Sequence, residues 1–365
     1  MLDAILEDLR ELVEVESPSE DPAAVREAAE VFAAQLERHV GGDGELTDDG
    51  RLAWRLGDPA APRLLLLGHL DTVWPHGTLA RLPFDVRDGR VHGPGTFDMK
   101  AGLVVAVHAL RLLRDRDEVP SVRLLVTPDE EIGAPRSRDA IEDEARRCGR
   151  VLVPEPSGPG GAVKVARKGM AFGRVVVHGR AAHSGLDPER GVNAAVALGG
   201  LLARIERLGD PALGTTVVPT LLRAGTAMNT VPARAEVDLD VRFRDPDEAD
   251  RVRGELERLP APPATQIEAW LDVNRGPLTE SSSDALLPAL RAAVSAAGLP
   301  GDLPTVAVGG ASDGNIAAAV GARVLDGLGP RGDGAHAEHE HVEVADLEPR
   351  VRLFAELLPR VAAVD

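Results

Sequence analysis

The sequence predicts an α/β protein in which helices flank a mostly parallel sheet, with a smaller α+β domain inserted into the chain. Three observations predict this fold class. Short, continuous apolar runs such as 64–67 indicate strands that are buried on both faces. Stretches with helical spacing of apolar residues separate these runs, as in βαβ units. The middle of the chain instead alternates apolar and polar residues, which is typical of a sheet with one exposed face.

The composition is that of a globular protein with a sizeable core. The chain has 365 residues, which corresponds to about two domains. Hydrophobic residues make up 44% of the chain but aromatic residues only 2%, so Leu, Val, Ala and Ile must build the core. The net charge of −18 argues against nucleic acid and anionic membranes as partners. The single cysteine, Cys148, argues against a disulfide framework and a cysteine-rich zinc site.

The amino terminus gives no sign of export or of membrane insertion. Residues 1–8 lack the basic segment and the long apolar segment of a signal peptide. No apolar run in the sequence approaches the ~18 residues that a membrane-spanning helix needs. We therefore expect a cytoplasmic protein without a membrane partner.

The first part of the chain predicts two helices and then alternating strands and helices. Apolar residues from Leu2 to Val13 recur at helical spacing among acidic residues. Asp21 can cap a second helix that has Pro22 at its first position. The elements predicted after them are strands over 51–56 and 64–67, a helix over 101–113, and strands over 122–126 and 151–153.

The pattern changes near Gly169 and changes back near Pro277. We therefore predict that residues 168–276 form an inserted domain. Residues 1–167 and 277–365 would together form the main domain. The elements predicted in the insert are strands over 171–178 and 233–243 and a helix over 192–208. The elements predicted beyond it are helices over 283–297, 315–320 and 347–362 and strands over 304–308 and 323–325.

Histidines and acidic residues follow the predicted buried strands or lie in loops beside them. Open parallel sheets place their chemistry just beyond the carboxyl ends of the strands. Any one of these acids could be a solvated loop residue, but the whole set predicts a common site. The residues are His69, Asp98, Glu130, Glu131, Glu155 and His336.

These residue types suit divalent metal ions. Imidazoles and carboxylates, without cysteine, are ligands that zinc and similar ions accept. So many carboxylates would repel one another unless cations or protons neutralised their charge. Two metal ions that share one carboxylate would neutralise it. The adjacent Glu130 and Glu131 can supply one ligand and one general base. Asp71 can accept the second ring N–H of His69 and so orient the imidazole.

Five segments resemble the motifs of the M20 metallopeptidase family. They occur in the family's order over nearly the full length, and within the family the chain most resembles the glutamate carboxypeptidase (carboxypeptidase G2-like) branch. The segments are Gly68-His69-Leu70-Asp71-Thr72-Val73, Gly93-Pro94-Gly95-Thr96-Phe97-Asp98-Met99-Lys100, Asp129-Glu130-Glu131-Ile132-Gly133, Glu155-Pro156 and His336-Ala337-Glu338-His339-Glu340-His341-Val342.

The resemblance implies a catalytic domain with two metal ions. One ion would be held by His69, Asp98 and Glu155. The second would be held by Asp98, Glu131 and His336, so that Asp98 bridges the pair. We expect two Zn²⁺ per subunit, with Co²⁺ or Mn²⁺ as alternatives.

The resemblance also implies catalytic roles for residues beside the metals. Glu130 would be the general base and acid, and Asp71 the partner of His69. The Asp98–Met99 peptide would be cis. In the segment 182–185 of the insert, His183 would reach the site of a neighbouring subunit and stabilise the oxyanion of the tetrahedral intermediate.

The closing motif departs from the family pattern. The family has Ser or Thr after the histidine, whereas Ala337 follows His336 here. His339 lies close by, so the assignment of His336 as the ligand rests on its spacing to the segment 340–342.

The inserted domain carries the residues that the resemblance assigns to substrate binding and assembly. Asn229 and Arg242 match the family's substrate-binding positions, and Gly310 lies in a matching glycine-rich loop. The planar guanidinium of Arg suits a substrate carboxylate. Without the resemblance, His183 would be interpreted as a turn residue and Arg242 as a strand residue facing water. The insert would be a dimerisation or lid domain, and the protein a homodimer.

We therefore predict a zinc-dependent hydrolase that cleaves an amide bond next to a free carboxylate, like a glutamate carboxypeptidase, by means of a metal-bound water and Glu130. Its partner would be a small peptide or an N-acyl amino acid. An N-acyl amino acid deacylase or a dipeptidase of the same family is an alternative that shares all the metal residues. A non-enzymatic carboxylate-binding protein with a structural metal is an alternative of another class.

Overall fold

The structure is a computed structural model that describes residues 1–58, 64–299, 301 and 303–364. The chain divides into two compact units. The main unit comprises Met1–Ala166, Leu278–Val308 and Ser312–Asp365, and the inserted unit comprises Arg167–Pro277 with Gly309–Ala311.

The helices and strands are numbered along the chain. The elements up to residue 167 are α1 (Leu2–Val13), α2 (Pro22–His39), β1 (Asp43–Leu46), β2 (Leu52–Leu56), β3 (Leu64–His69), β4 (Asp85–Arg87), β5 (Arg90–His92), α3 (Ala101–Asp115), β6 (Val122–Thr127), α4 (Arg138–Cys148), β7 (Arg150–Leu152) and β8 (Val163–Arg167). The inserted elements are β9 (Gly169–His178), α5 (Ala194–Glu206), β10 (Thr216–Ala224), β11 (Arg234–Phe243), α6 (Pro246–Glu257) and β12 (Gln266–Arg275). The last elements are α7 (Leu287–Ala296), β13 (Thr305–Val308), α8 (Asp313–Ala319), β14 (Arg323–Leu325), β15 (Gly332–Asp333), β16 (His341–Glu343) and α9 (Val344–Ala362).

The main unit contains a six-stranded sheet in the order β1-β2-β6-β3-β7-β14. Strands β6, β3, β7 and β14 are parallel neighbours, whereas β2 and β1 extend the sheet in antiparallel fashion. The predicted α/β fold with a mostly parallel sheet is confirmed. The strands predicted over 51–56, 122–126 and 323–325 are present, and β3 corresponds to the run 64–67.

Helices cover both faces of this sheet, which explains the unbroken leucine run. Leu64 and Leu66 belong to a core that includes side chains of α1, α2, α3, α7 and α9. Leu65 and Leu67 belong to a second core with side chains of α4 and α8. Because successive side chains of a strand point to opposite faces, both sets must be apolar.

The parallel register brings three strand ends together. His69 at the end of β3 lies opposite Thr127 at the end of β6. Leu66 lies opposite Leu152, the last residue of β7. The loops that carry Glu130 and Glu155 begin at these ends, so the sheet itself positions the acidic residues beside His69.

The inserted unit contains an antiparallel sheet in the order β10-β11-β9-β12, with α5 and α6 packed against it. Strand β11 alternates buried and half-buried residues, as its sequence predicts. The two edge strands, β10 and β12, were not predicted. Most side chains of β10 are exposed, whereas β12 was missed although its apolar residues at 267, 269, 271 and 273 occupy alternate positions. Helix α6 was also missed, although Asp245 caps it and Pro246 occupies its first position.

A small antiparallel sheet in the order β15-β16-β5-β4 joins residues 85–92 to residues 332–343. The pairing of β16 with β5 sets His341 opposite His92. It therefore brings the closing histidine motif to the loop that leads to Asp98.

Among the described residues, none of the helices combines the length and the apolar character that a bilayer crossing demands.

Candidate metal centre

Two groups of potential metal ligands lie at the carboxyl end of the main sheet and share Asp98. In the first group, Nε2 of His69 lies 3.3 Å from Oδ1 of Asp98 and 3.4 Å from Oε1 of Glu155. In the second, Nε2 of His336 lies 3.5 Å from Oδ2 of Asp98 and 3.1 Å from Oε2 of Glu131. Within each group the ligand atoms lie within 4.8 Å of one another. The structure thus brings together the residues of both triads that the resemblance to the family implies.

The two oxygens of Asp98 face different histidines, which is the arrangement that a bridging carboxylate requires. Among the described residues, Nε2 of His69 and Oδ1 of Asp98 are buried and have no hydrogen-bond partner. Buried polar atoms in proteins are almost always satisfied. A divalent cation coordinated by both atoms would satisfy them, so the residues fit a metal site. The mixed nitrogen and oxygen donors suit Zn²⁺, Co²⁺ or Mn²⁺.

The hydrogen bonds of His69 fix which ring nitrogen faces the site. Its Nδ1 lies 2.9 Å from the main-chain oxygen of Asp71 and 3.5 Å from the Asp71 carboxylate. Because a carbonyl oxygen only accepts, Nδ1 carries the proton and Nε2 is free to coordinate. The sequence predicts that the side chain of Asp71 orients His69, whereas the shorter contact is made by its main chain.

The Asp71 carboxylate instead holds the loop that contains the two adjacent glutamates. Its Oδ1 accepts from the backbone N–H of Glu130 at 3.0 Å, and its Oδ2 accepts from that of Glu131 at 3.1 Å. The hydroxyl of Ser19 donates to Oδ2 at 2.7 Å. Asp71 therefore orients both glutamates, and Ser19, which the sequence analysis missed, supports Asp71. No local pattern signals Ser19, because its contact spans distant parts of the chain.

The cluster holds more acidic groups than basic ones, and their pKa values respond. Burial and the nearby Asp98 raise the pKa of Glu131 to about 7. Hydrogen bonds to Asp98 and Glu131 raise the pKa of His336 to about 10. Burial works against a charged His69, but its contacts with Asp71, Asp98 and Glu155 outweigh burial and raise its pKa well above the usual range. Positive charge is thus strongly favoured at this place.

The remaining features of the centre agree with the sequence analysis. The Asp98–Met99 peptide is cis. Glu130 is buried at 8% exposure, directly beside Glu131. His336, with φ of 63°, belongs to the second triad, whereas His339 belongs to neither and its main-chain oxygen accepts from Nδ1 of His341. The geometry therefore favours His336 over His339 as the ligand.

In the inserted unit, His183 is exposed and its tautomer is set by its own turn. Its Nδ1 accepts from the backbone N–H groups of Gly185 at 3.1 Å and Leu186 at 3.2 Å. The proton of the neutral ring is therefore on Nε2, which is available as a donor. Asn229 is exposed nearby, and its main-chain oxygen accepts from the backbone N–H of Ser184 at 3.0 Å.

Arg242 lies on β11 and is paired with an acid on its own strand. Its Nε and Nη2 donate to the two carboxylate oxygens of Asp240 at 2.7 and 2.8 Å. This pair was not predicted from the sequence, although residues two apart share one face of a strand. Partial burial and the charges of Arg244 and Arg242 lower the pKa of Lys168 from its usual value. Arg242 and Arg244 thus lie close enough to Lys168 to disfavour its charge.

The glycine-rich loop is held by a cation of the same unit. The main-chain oxygen of Gly310, which is exposed, accepts from Nη1 of Arg167 at 3.2 Å.

Comparison with known proteins gives one family. The family model described as Peptidase family M20/M25/M40 matches residues 65–360. Carboxypeptidase G2 from Pseudomonas sp. (strain RS-16) is 29% identical over 99% of this chain and 90% of its own length. Succinyl-diaminopimelate desuccinylase from Alkalilimnicola ehrlichii is 31% identical over 90% of this chain and 92% of its own length. A crystal structure of a dinuclear metal binding peptidase of the M20 family from Bacillus subtilis matches with a TM-score of 0.70, at 16% identity, over 100% of this chain and 99% of that one.

Proposed function

We propose that this chain, which belongs to peptidase family M20/M25/M40 and is a hydrolase of that family, cleaves an amide bond next to a free carboxylate. The observation that carries the proposal is the pair of ligand triads that share Asp98, with Glu130 beside them. Membership of a peptidase family also removes the alternative of a non-enzymatic carboxylate-binding protein.

The metal ions would be two Zn²⁺ per subunit, held by the triads that contain His69 and His336. When bound, such ions supply Lewis acidity, which makes a water molecule more acidic and polarises the amide carbonyl. Two side chains of the protein, Glu130 and His183, would carry out the remaining steps. Glu130 takes the proton from the attacking water and delivers it to the leaving nitrogen as the carbon–nitrogen bond breaks. His183 donates from Nε2 to the oxyanion.

The substrate would be a small peptide or an N-acyl amino acid with a free carboxylate. The similarity to carboxypeptidase G2 over nearly the whole chain supports a carboxypeptidase. The similarity to a desuccinylase supports a deacylase, which remains the second candidate. Arg242 and the neighbouring Lys168 would bind the carboxylate in either case, with Asn229 and Gly310 as further contacts.

We expect the purified protein to contain about two zinc ions per chain and to lose activity when they are removed. Metal content is measured by mass spectrometry, and hydrolysis is then assayed with folate-type glutamates, N-acyl amino acids and N-succinyl amino acids. The most active group separates carboxypeptidase from deacylase.

The matched control is the same substrate with its free carboxylate converted to a carboxamide. Since a site built for a charged group rejects an analogue that lacks it, kcat/KM should fall by at least about 100-fold. A protein that binds no metal would refute the proposed centre, and equal turnover of both substrates would refute the proposed recognition of a carboxylate.

We also propose that two copies of the chain pair through strand β10. This strand lies at the edge of the inserted sheet, and its side chains Val218, Leu221 and Leu222 are 49%, 54% and 55% exposed. A long apolar edge strand is a template for pairing with another strand. A second copy of β10, related by a two-fold axis, would supply hydrogen-bond partners for the exposed backbone groups of this edge. Both subunits would then use the same surface.

Replacing Leu222 with Asp should therefore convert the dimer to a monomer. The two-fold axis places the new charge in the interface twice, so we expect the dissociation constant of the dimer to rise by about 100-fold or more. Light scattering after size exclusion over a range of concentrations measures this. Val86→Asp, on an exposed strand of the main unit, is the matched control and should leave the mass unchanged. A parental protein that is monomeric at all concentrations would contradict the proposed dimer.

A further inference from the structure

The carboxylate of Glu340 accepts four hydrogen bonds from two segments beside the metal centre. Its Oε1 accepts from the backbone N–H groups of Phe97 at 2.9 Å and Asp98 at 3.0 Å. Its Oε2 accepts from the backbone N–H of Gly95 at 2.9 Å and from the indole Nε1 of Trp74 at 2.8 Å. An ionised carboxylate offers about four lone-pair positions, so its capacity is fully used.

The fold brings Glu340 to this position through strand β16, which begins at the next residue. Because His341 pairs with His92, the start of β16 lies beside the end of β5. The segment 95–98 begins a few residues after β5. The side chain of Glu340 is only 3% exposed. Since a buried carboxylate is costly unless it is hydrogen-bonded, this residue depends on the amide groups that it holds. Three of its four donors belong to the segment that presents Asp98.

We propose that Glu340 is a positioning residue that fixes Asp98 for both metal ions. The inference rests on the two-metal centre proposed above, in which Asp98 is the shared ligand. Oδ1 of Asp98 faces His69 and Oδ2 faces His336, so a shift of the Asp98 backbone would misplace both oxygens at once. Residues that orient metal ligands are typically worth about 10- to 100-fold in metal affinity.

The closing motif would then serve the centre in two ways. His336 would coordinate one ion directly, and Glu340 would hold the backbone of the ligand shared by both. The indole of Trp74, which follows the motif of His69 and Asp71, contacts the same carboxylate. Glu340 thus links two of the five motif segments to one another and to the residue that follows a third.

The test is the Glu340→Gln variant. Gln keeps the size of the side chain, but its NH₂ group would face two donors and cannot accept from them. Zinc is titrated into the metal-free protein in competition with a chromophoric chelator, which gives the affinity of each site. We expect both affinities to fall together by about 10- to 100-fold. His336→Ala provides the contrast, because it should weaken mainly the site shared with Glu131.

The matched control is Glu338→Gln. Glu338 lies on the same loop, its side chain is 70% exposed, and it pairs with Arg81. Its replacement should leave both affinities unchanged. Parental affinities in a folded Glu340→Gln protein, as judged by circular dichroism, would overturn the inference. A parental protein without bound zinc would instead refute the two-metal proposal itself.

If Glu340→Gln does not fold, Trp74→Phe decides the question. This change removes one of the two donors to Oε2 and leaves the backbone donors in place. We expect a several-fold loss of affinity at both sites. Unchanged affinity at both would overturn the inference.

Discussion

Replacing Glu130 with Gln should lower kcat by about 10²- to 10⁴-fold while both metal ions remain bound. The substituted amide keeps the shape of the buried side chain but cannot take up the proton of the attacking water. Since Glu130 belongs to neither ligand triad, metal affinity should not change. Steady-state kinetics and metal content, measured on the same preparation, check both parts.

The neighbouring residue provides the contrast. Glu131 lies 3.1 Å from Nε2 of His336 and belongs to the second triad. Glu131→Gln should therefore lose metal as well as activity, whereas Glu130→Gln should lose activity alone. If Glu130→Gln kept most of its turnover, or if it lost zinc and Glu131→Gln did not, the two roles would have been assigned wrongly.

The contrast matters because the sequence alone leaves the division of roles open. Adjacent acids after a strand predict one ligand and one base without saying which is which. In the structure Glu131 lies in the triad with Asp98 and His336 whereas Glu130 does not, and the two carboxylate oxygens of Asp71 each accept from one backbone N–H of the pair. Such a contact between main chain and a distant side chain leaves no local pattern in the sequence.

The main sheet and its strand ends could be predicted because burial on both faces forces an apolar run. His69 and Glu155 follow such runs directly, and the parallel register brings them together. The edge strand β10 could not be predicted in the same way, because most of its side chains are exposed and its apolar residues do not alternate. In β12 the apolar residues at 267, 269, 271 and 273 do alternate, and this pattern was overlooked. The role that we infer for Glu340 was also hidden, since its partners are backbone amides, which any residue provides.

The catalytic role of His183 comes from the resemblance to a family, because neither the sequence pattern nor the geometry indicates it. Nothing local distinguishes His183 from an ordinary turn histidine, and its hydrogen bonds to Gly185 and Leu186 fit that interpretation as well. The same bonds leave Nε2 as the donor, which is what stabilisation of an oxyanion requires. Whether this donor serves the site of its own subunit or that of a neighbour can be decided by experiment.

Two inactive variants should restore activity when their subunits are mixed. His183→Ala should lower kcat by about 10²- to 10³-fold, the usual cost of one oxyanion donor. In a mixed dimer with Glu130→Gln, the His183→Ala subunit keeps its own Glu130 and would receive His183 from its partner. With random exchange, half of the dimers are mixed and each has one complete site, so activity should recover to about one quarter of the parental value.

The recovery depends on the geometry of the dimer alone, because both variants keep all five proposed metal ligands. Subunit exchange is verified by co-purification of two differently tagged variants, and each variant put through the same exchange alone is the control. If exchanged dimers stayed as inactive as the separate variants, His183 would act within its own subunit. Each site would then be complete in one chain, and the β10 interface would serve assembly without contributing to catalysis. If activity recovers, a protein forced to be monomeric by Leu222→Asp should be as impaired as His183→Ala, since its site would lack the partner's donor.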